Sequence, residues 1–159
     1  MGAPRSSGQG DRAGPEAPAV ADDTRLVQGT REWFDMVGLL MTAAATKARL
    51  PADLTVSFVE IYADGATWPD GLVQGLRFEI AGGHPSFRAG ARPGERADIH
   101  VAVSVRAARA LNLLQLADPA FAQEHARALR TGEMKVDGDL SRLGDWLAGV
   151  HDPIVERTR

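Results

Sequence analysis

The sequence predicts a small α+β domain, and three observations lead to this fold class. Apolar residues recur at three-to-four spacing in a segment that ends before Pro51, which is typical of a helix. Apolar and polar residues then alternate in several short segments up to Val103, which is typical of strands. Helix-capping residues and helix-ending glycines follow in the last third of the chain. Helices therefore flank a block of strands, an order that favours α+β over a doubly wound parallel sheet.

The composition is that of a single globular domain. The chain has 159 residues, of which 44% are hydrophobic and 25% are charged. Its net charge of −3 predicts no nucleic-acid partner, because a basic surface is needed to neutralise phosphates. The lack of cysteine excludes disulfides, thiolate metal sites and cysteine nucleophiles, and is consistent with a cytoplasmic location. No apolar run approaches the roughly 18 residues of a membrane span, so we expect no stable membrane insertion.

We expect three segments along the chain. Residues 1–22 are rich in Gly, Pro, Ala and Ser and have too few apolar side chains to form a core, which predicts a disordered tail. Residues 23–149 carry the helix and strand patterns and form the domain, and residues 150–159 form a C-terminal extension. The preference for Arg over Lys and the many small residues indicate a GC-rich bacterial gene.

The first helix is predicted to begin at a cap, Asp23 or Thr24, and to end near Ala48, before Pro51. Its apolar residues are Leu26, Val27, Trp33, Phe34, Val37, Leu40, Met41 and Ala44. Strands are predicted at residues 54–62, 72–81, 86–89, 97–103 and 133–136. Gly82-Gly83 is typical of a hairpin turn between the second strand and the third.

Three more helices are predicted after Val103. Ser104 caps a helix through Leu116, and Asp118-Pro119 opens another that ends at Gly132. Asp139 caps a final helix over residues 140–147, which Gly149 ends.

Two runs resemble the sterol carrier protein 2 family. The run from Thr131 to Leu140 contains a glycine, a short alternating strand and then Gly138-Asp139 opening the last helix, as sterol-carrier-like domains characteristically end. The run from Ala97 to Ser104 looks like the family's strand that leads directly into a pocket-lining helix. The resemblance covers roughly residues 54–147, and the order of the elements agrees with it.

This resemblance implies a curved mixed sheet of roughly five strands, with helices packed on one face and an apolar tunnel between them. Family members bind fatty-acyl chains, sterols or related lipids, and they need no metal and no organic cofactor. The sequence departs from the family in its long first helix, in an insertion at Trp68–Asp70 and in residues 150–159. The family's usual tail is a peroxisomal address, whereas this sequence ends in Arg-Thr-Arg, which argues against peroxisomal import.

The pattern offers a set of candidate ligand-binding residues, which either line an apolar pocket or simply fill the core. They are Phe58, Leu76, Phe78, Val101, Leu111, Leu114, Phe121, Met134, Val136, Leu143 and Trp146. The resemblance favours Leu111, Leu114, Phe121 and Met134, whose elements line the tunnel in relatives. Asn112 and Gln115 interrupt an apolar run, and each either binds a ligand head group or faces solvent.

No recognised catalytic motif is present, so catalytic residues are not assigned. The four histidines lack zinc-binding spacing, no Gly-x-Ser-x-Gly elbow occurs, and no glycine-rich loop precedes a helix. A carboxyl or imidazole group beside an apolar substrate can still act as an acid or a base. The candidates for this role are Glu60, Tyr62, Asp64, Glu79 and His100. Glu60 continues the face of Val56 and Phe58, so it points either into the core or to solvent where the strand ends.

Two functions follow from the sequence. The first is a carrier or presenting protein that binds a small hydrophobic molecule, such as a lipid, sterol, acyl chain or polyketide-like compound. The second is a cofactor-independent cyclase or isomerase that acts on a hydrophobic natural-product intermediate in the same pocket. A weaker third is an accessory module of a larger enzyme. The absence of catalytic motifs favours the carrier, and the sequence leaves the ligand and the oligomeric state open.

Overall fold

The structure is a computed structural model that describes residues 23–159, so the predicted disordered tail lies outside the described residues. Its helices are α1 (Arg31–Lys47), α2 (Val105–Asn112), α3 (Pro119–Thr131) and α4 (His151–Glu156). Its strands are β1 (Val56–Tyr62), β2 (Val73–Ala81), β3 (His84–Ala91), β4 (Ile99–Val103) and β5 (Met134–Asp137). Two 3₁₀ turns, Leu140–Leu143 and Asp145–Val150, connect β5 to α4.

The five strands form one open mixed sheet in the order β3-β2-β1-β4-β5. β1 is central, runs parallel to β4 and pairs antiparallel with β2. β2 and β3 form the predicted hairpin, and β5 pairs antiparallel with β4 at the other edge. The predicted α+β fold with a mixed sheet of about five strands is therefore confirmed.

One face of the sheet, here called the inner face, carries the core. Strand alternation directs Phe58, Glu60 and Tyr62 of β1 to this face, beside Leu76 of β2 and Val101 of β4. α1 packs across β3 and β2 and buries its own apolar stripe there. Gly38 permits this close approach, because a Cβ at that position would lie 2.1 Å from the ring of Phe87.

Several predicted helix ends are confirmed by their hydrogen bonds. The Ser104 side chain accepts from the Ala107 amide, and the Asp118 side chain accepts from the Ala120 amide. Gly132 ends α3 with a φ of 78°, in the left-handed region that glycine adopts without strain. The side chain of Asp139 accepts from the amide of Ser141 at the start of the first 3₁₀ turn.

The predicted start of the first helix is wrong by about two turns. Residues 23–27 form no helix, residues 28–29 form a turn, and α1 begins only at Arg31, after the cap Thr30, whose hydroxyl accepts from the Trp33 amide. Gly29 has a φ of 85°, which a helix cannot include. Leu26 instead forms a parallel bridge with Thr158, a pairing that no local pattern contains.

The predicted single helix over residues 140–147 is also wrong. The segment forms two 3₁₀ turns, because Gly144 interrupts it with φ 118° and ψ 168°. The regular helix at this end of the chain is α4, at His151–Glu156, within the segment predicted to be a C-terminal extension.

The segment after α4 is joined to the start of α1. The indole Nε1–H of Trp33 donates to Thr158 Oγ1 at 2.9 Å, and Thr158 Oγ1 donates to the Ile154 carbonyl at 2.6 Å. Backbone hydrogen bonds connect Leu26 to Arg157 and Arg159. Thr158 is only 5% exposed, so this contact is buried and holds α4 against α1. Among residues 23–159, no helix is both long and apolar enough to cross a bilayer.

The buried Trp33–Thr158 hydrogen bond leads to a stability prediction. Thr158→Val keeps the volume of the side chain but removes the acceptor, which leaves the indole N–H of Trp33 buried and unpaired. We expect unfolding free energy to fall by about 1–3 kcal/mol in urea titrations. The control is Thr46→Val, because Thr46 is an exposed threonine of α1, and its change should stay within about 0.5 kcal/mol. Equal effects of the two variants would contradict the account of this contact.

Candidate functional site

A cavity of about 290 Å³ lies between the inner face of the sheet and the helices. Its walls are mainly apolar, and every helix contributes to them. The lining residues are Trp33, Phe34, Val37 and Met41 of α1, Phe58, Glu60, Leu76, Val101, Val103, Met134 and Val136 of the sheet, Ala108, Leu111 and Asn112 of α2, Phe121 and His125 of α3, and Leu140, Leu147, Val150, His151 and Ile154 near the C-terminus. A cavity of this kind is the usual form of a small-molecule site.

The structure brings most of the sequence-predicted residues to this cavity. Those that line it are Phe58, Leu76, Val101, Leu111, Phe121, Met134 and Val136. Those that lie outside its lining are Phe78, Leu114, Leu143 and Trp146. Phe78 and Leu143 are fully buried, and the ring of Trp146 packs 5.5 Å from that of Phe78. These two rings therefore fill space beside the cavity, and contact with a ligand stays a prediction for the whole set.

Sequence reasoning missed the contributions of α1 and of the C-terminal segment. The four-residue spacing of Trp33, Val37 and Met41 indicates the apolar face of a helix. This spacing is the same whether that face lines a cavity or packs into a core. His151 and Ile154 belong to the segment regarded as an extension. Of the two polar residues that interrupt the apolar run, Asn112 lines the cavity, whereas Gln115 is exposed.

Glu60 is the acidic residue at this site. It lies on the central strand, directly between Leu76 and Val101 in the sheet register, and it contributes to the cavity lining. Of the two orientations that the sequence leaves open, the structure therefore has the inward one. Its side chain stays partly accessible to solvent, and it borders the cavity.

The environment of Glu60 changes its acidity. Burial raises the pKa of Glu60 to about 7, because removal from water disfavours the charged form. Within residues 23–159, neither a hydrogen bond nor an opposite charge offsets this effect. Glu60 therefore changes its charge near neutral pH while its carboxyl group borders an apolar space. Such a group can bind a polar ligand atom or transfer a proton.

Tyr62 lies two residues further along the same face but has a structural role. Its hydroxyl accepts from Nε2 of Gln28 at 3.0 Å, and Nη1 of Arg109 donates to Oε1 of the same Gln28 side chain at 3.5 Å. Burial, followed by the charge of Glu60, raises the pKa of Tyr62. The side chain is 1% exposed and lies outside the cavity lining, so it supports the segment before α1.

Two histidines, one phenylalanine and one isoleucine (Ile154) form the part of the lining supplied by α3 and α4. His125 stacks on Phe121 with ring centroids 6.1 Å apart, and His151 meets the same ring edge-on at 4.7 Å. Nε2 of His151 lies 2.7 Å from the carbonyl oxygen of Leu114. Because a carbonyl only accepts, Nε2 of His151 is the donor in this contact.

The other acid–base candidates lie away from the cavity. Oδ1 of Asp64 accepts from the Val105 amide at 2.7 Å, next to the start of α2. Glu79 is on the outer face of the sheet, 3.6 Å from Arg77, and His100 pairs with Val59 on the same outer face. Among the described residues, no three His, Cys, Asp or Glu side chains are grouped to hold a metal ion.

Comparisons with known proteins return solved structures only. No protein-family model matches the chain, and no curated protein matches it significantly. The chain is similar to a crystal structure of sterol carrier protein 2, at 13% identity and a TM-score of 0.47, over 82% of this chain and 97% of that one. It is similar to a sterol carrier protein 2 like protein from Aedes aegypti, at 16% identity and a TM-score of 0.39, over 76% of this chain and 97% of that one.

A part of a larger protein is also similar to this chain. The stereoselective inverting sec-alkylsulfatase from Pseudomonas sp. matches at 21% identity and a TM-score of 0.37, over 75% of this chain. The match spans only 16% of that sulfatase. Most of the similar structures are sterol carrier protein 2 domains, the family that the sequence resembles.

Proposed function

We propose that this protein binds a small hydrophobic molecule in the cavity, as a carrier or presenting protein. The observation that carries the proposal is an apolar space of about 290 Å³ between the sheet and the helices α1 to α4. Protein interiors are close-packed, so an apolar space of this size is larger than the usual gaps between core side chains. The resemblance of residues 131–140 and 97–104 to the sterol carrier protein 2 family suggests a lipid, sterol, acyl or polyketide-like ligand.

The dimensions of the cavity favour the smaller members of this ligand class. Cavities for small molecules usually measure about 300–1,000 Å³, and this one is at the lower limit of that range. A non-hydrogen atom with its attached hydrogens needs about 30 Å³, the volume of one water molecule in the liquid. The cavity therefore holds a ligand of roughly ten non-hydrogen atoms. A chain of about ten carbons is therefore a suitable probe.

The domain boundaries at residues 23 and 149 and a cytoplasmic location stay predictions of the sequence.

A second candidate function is a cofactor-independent isomerase or cyclase, and the position of Glu60 favours it. A carboxyl group with a pKa near 7 beside an apolar space can take a proton from a substrate carbon and return it elsewhere on the same molecule. Such a 1,3-proton shift balances without an added cofactor. A natural-product intermediate of the size of the cavity would be the substrate.

The carrier proposal predicts stabilisation by a simple amphiphile. Decanol at about 100 times its dissociation constant should raise the melting temperature by roughly 5–10 °C, because it binds only the folded state. Ala108→Phe should remove this shift, since Ala108 is a buried α2 residue that lines the cavity. The matched control is Val105→Phe, which enlarges an exposed α2 residue and should leave the shift intact. The proposal fails if neither decanol, decanoate nor a sterol shifts the melting temperature of the native sequence.

The enzyme candidate predicts general-base activity that depends on Glu60. A suitable probe is 5-nitrobenzisoxazole: a base removes its ring C–H proton, the N–O bond breaks, and a coloured cyanophenolate forms. The rate should rise as pH increases through about 7, because the ionised carboxylate is the base. Glu60→Gln should reduce the rate to background, whereas Glu79→Gln, on the outer face, should not change it. Equal rates in Glu60→Gln and the native sequence would exclude this candidate.

A further inference from the structure

We infer that the cavity selects hydrophobic ligands whose polar end donates a hydrogen bond, an alcohol or an amine, and that Glu60 is the acceptor. Ligands that end in a carboxylate are disfavoured by the same residue. This inference rests on the proposed binding function and specifies the ligand class. It follows from the position of one carboxyl group and from the residues that surround it.

Glu60 is placed to receive the polar end of a ligand. Its partners on the two neighbouring strands are both apolar, Leu76 on β2 and Val101 on β4. Val101 in turn pairs with Val136 on β5, which extends the same row. All of these residues line the cavity, so the carboxyl group is a polar point within an apolar floor. None of residues 23–159 donates a hydrogen bond to it. A donor on the ligand would satisfy the carboxylate, which is costly to leave unpaired away from water.

The charge of the lining argues against an anionic ligand. Among the described residues, the cavity wall includes neither lysine nor arginine, the side chains that usually pair with a carboxylate. Arg109 on α2 directs Nη1 to the side chain of Gln28 instead. A ligand carboxylate near Glu60 would therefore meet a like charge without a lysine or arginine in the wall to compensate that charge.

The other polar side chains of the wall lie on the helices, opposite the sheet that carries Glu60. Asn112 belongs to α2 and His125 to α3, whereas Glu60 lies on the sheet. His151 already donates to the carbonyl of Leu114. A linear ligand can place its donor at Glu60 and extend its apolar chain between the sheet and the helices.

The test compares ligands that share one chain and differ in the polar end. Decanol, decylamine, decanoate and decyl methyl ether, which has no donor, are titrated calorimetrically at pH 8.5, where Glu60 is ionised. In the native sequence, decanol and decylamine should bind at least about tenfold more tightly than decanoate and the ether, the factor expected for one hydrogen bond to a charged group. Glu60→Leu should weaken decanol about tenfold and leave the ether unchanged.

Glu60→Gln keeps the shape of the side chain, removes the charge and adds an amide donor. Decanoate should then bind roughly tenfold more tightly than it binds the native sequence. Glu79→Gln removes the same charge from the outer face and should change none of the four affinities.

The outcomes separate this inference from the proposed function. If all four ligands bind the native sequence equally, or if decanoate binds best, the inference is overturned and the binding function stands. If Glu60→Gln and Glu60→Leu leave the order of the ligands unchanged, Glu60 is not the acceptor. If no ligand binds the native sequence, the proposed function fails and the inference fails with it.

Discussion

The structure depends on one constraint, which is the placement of a carboxyl group at the middle of a largely apolar sheet face. Alternation along β1 requires Glu60 to share the side of Phe58 and Tyr62, and the pairing with β2 and β4 puts it in the centre of the sheet. Hydrocarbon packed directly onto an unpaired carboxyl group would remove it from water without compensation. In the structure, Glu60 instead borders the cavity between the sheet and the helices.

Two contacts fix the positions of α1 and α4 around the cavity. Gly38 lets α1 approach the ring of Phe87 on β3, so that α1 packs tightly against this edge of the sheet. Trp33 borders the cavity and also donates to Thr158, which connects the wall formed by α1 to the wall formed by α4. The Trp33 side chain thus has two roles: its indole N–H is paired with Thr158 inside the protein, and its apolar ring borders the cavity.

Local signals in the sequence predicted much of this fold, and long-range contacts explain what they did not predict. Strand alternation and the caps Ser104, Asp118 and Gly132 act within a few residues, so their predictions are confirmed. The predicted start of α1 was wrong because the pairing of Leu26 with Thr158 spans most of the chain. The predicted last helix was wrong because Gly144 breaks an apparently helical pattern. The orientation of Glu60 stayed open for a related reason. Whether the end of a strand is solvated depends on its neighbours in the sheet, and β1 is central only once β4 has paired parallel to it.

The account can be tested most directly by measuring the pKa of Glu60 in the ligand-free protein. A pH titration of its side-chain carboxyl carbon by ¹³C NMR, assigned by comparison with Glu60→Gln, reports this value without any assumption about the ligand. A carboxyl group that lacks a protein partner and lies beside an apolar cavity should titrate near pH 7. A midpoint near 4.5, the ordinary value for glutamate, would show that Glu60 is solvated or paired and would contradict the central claim.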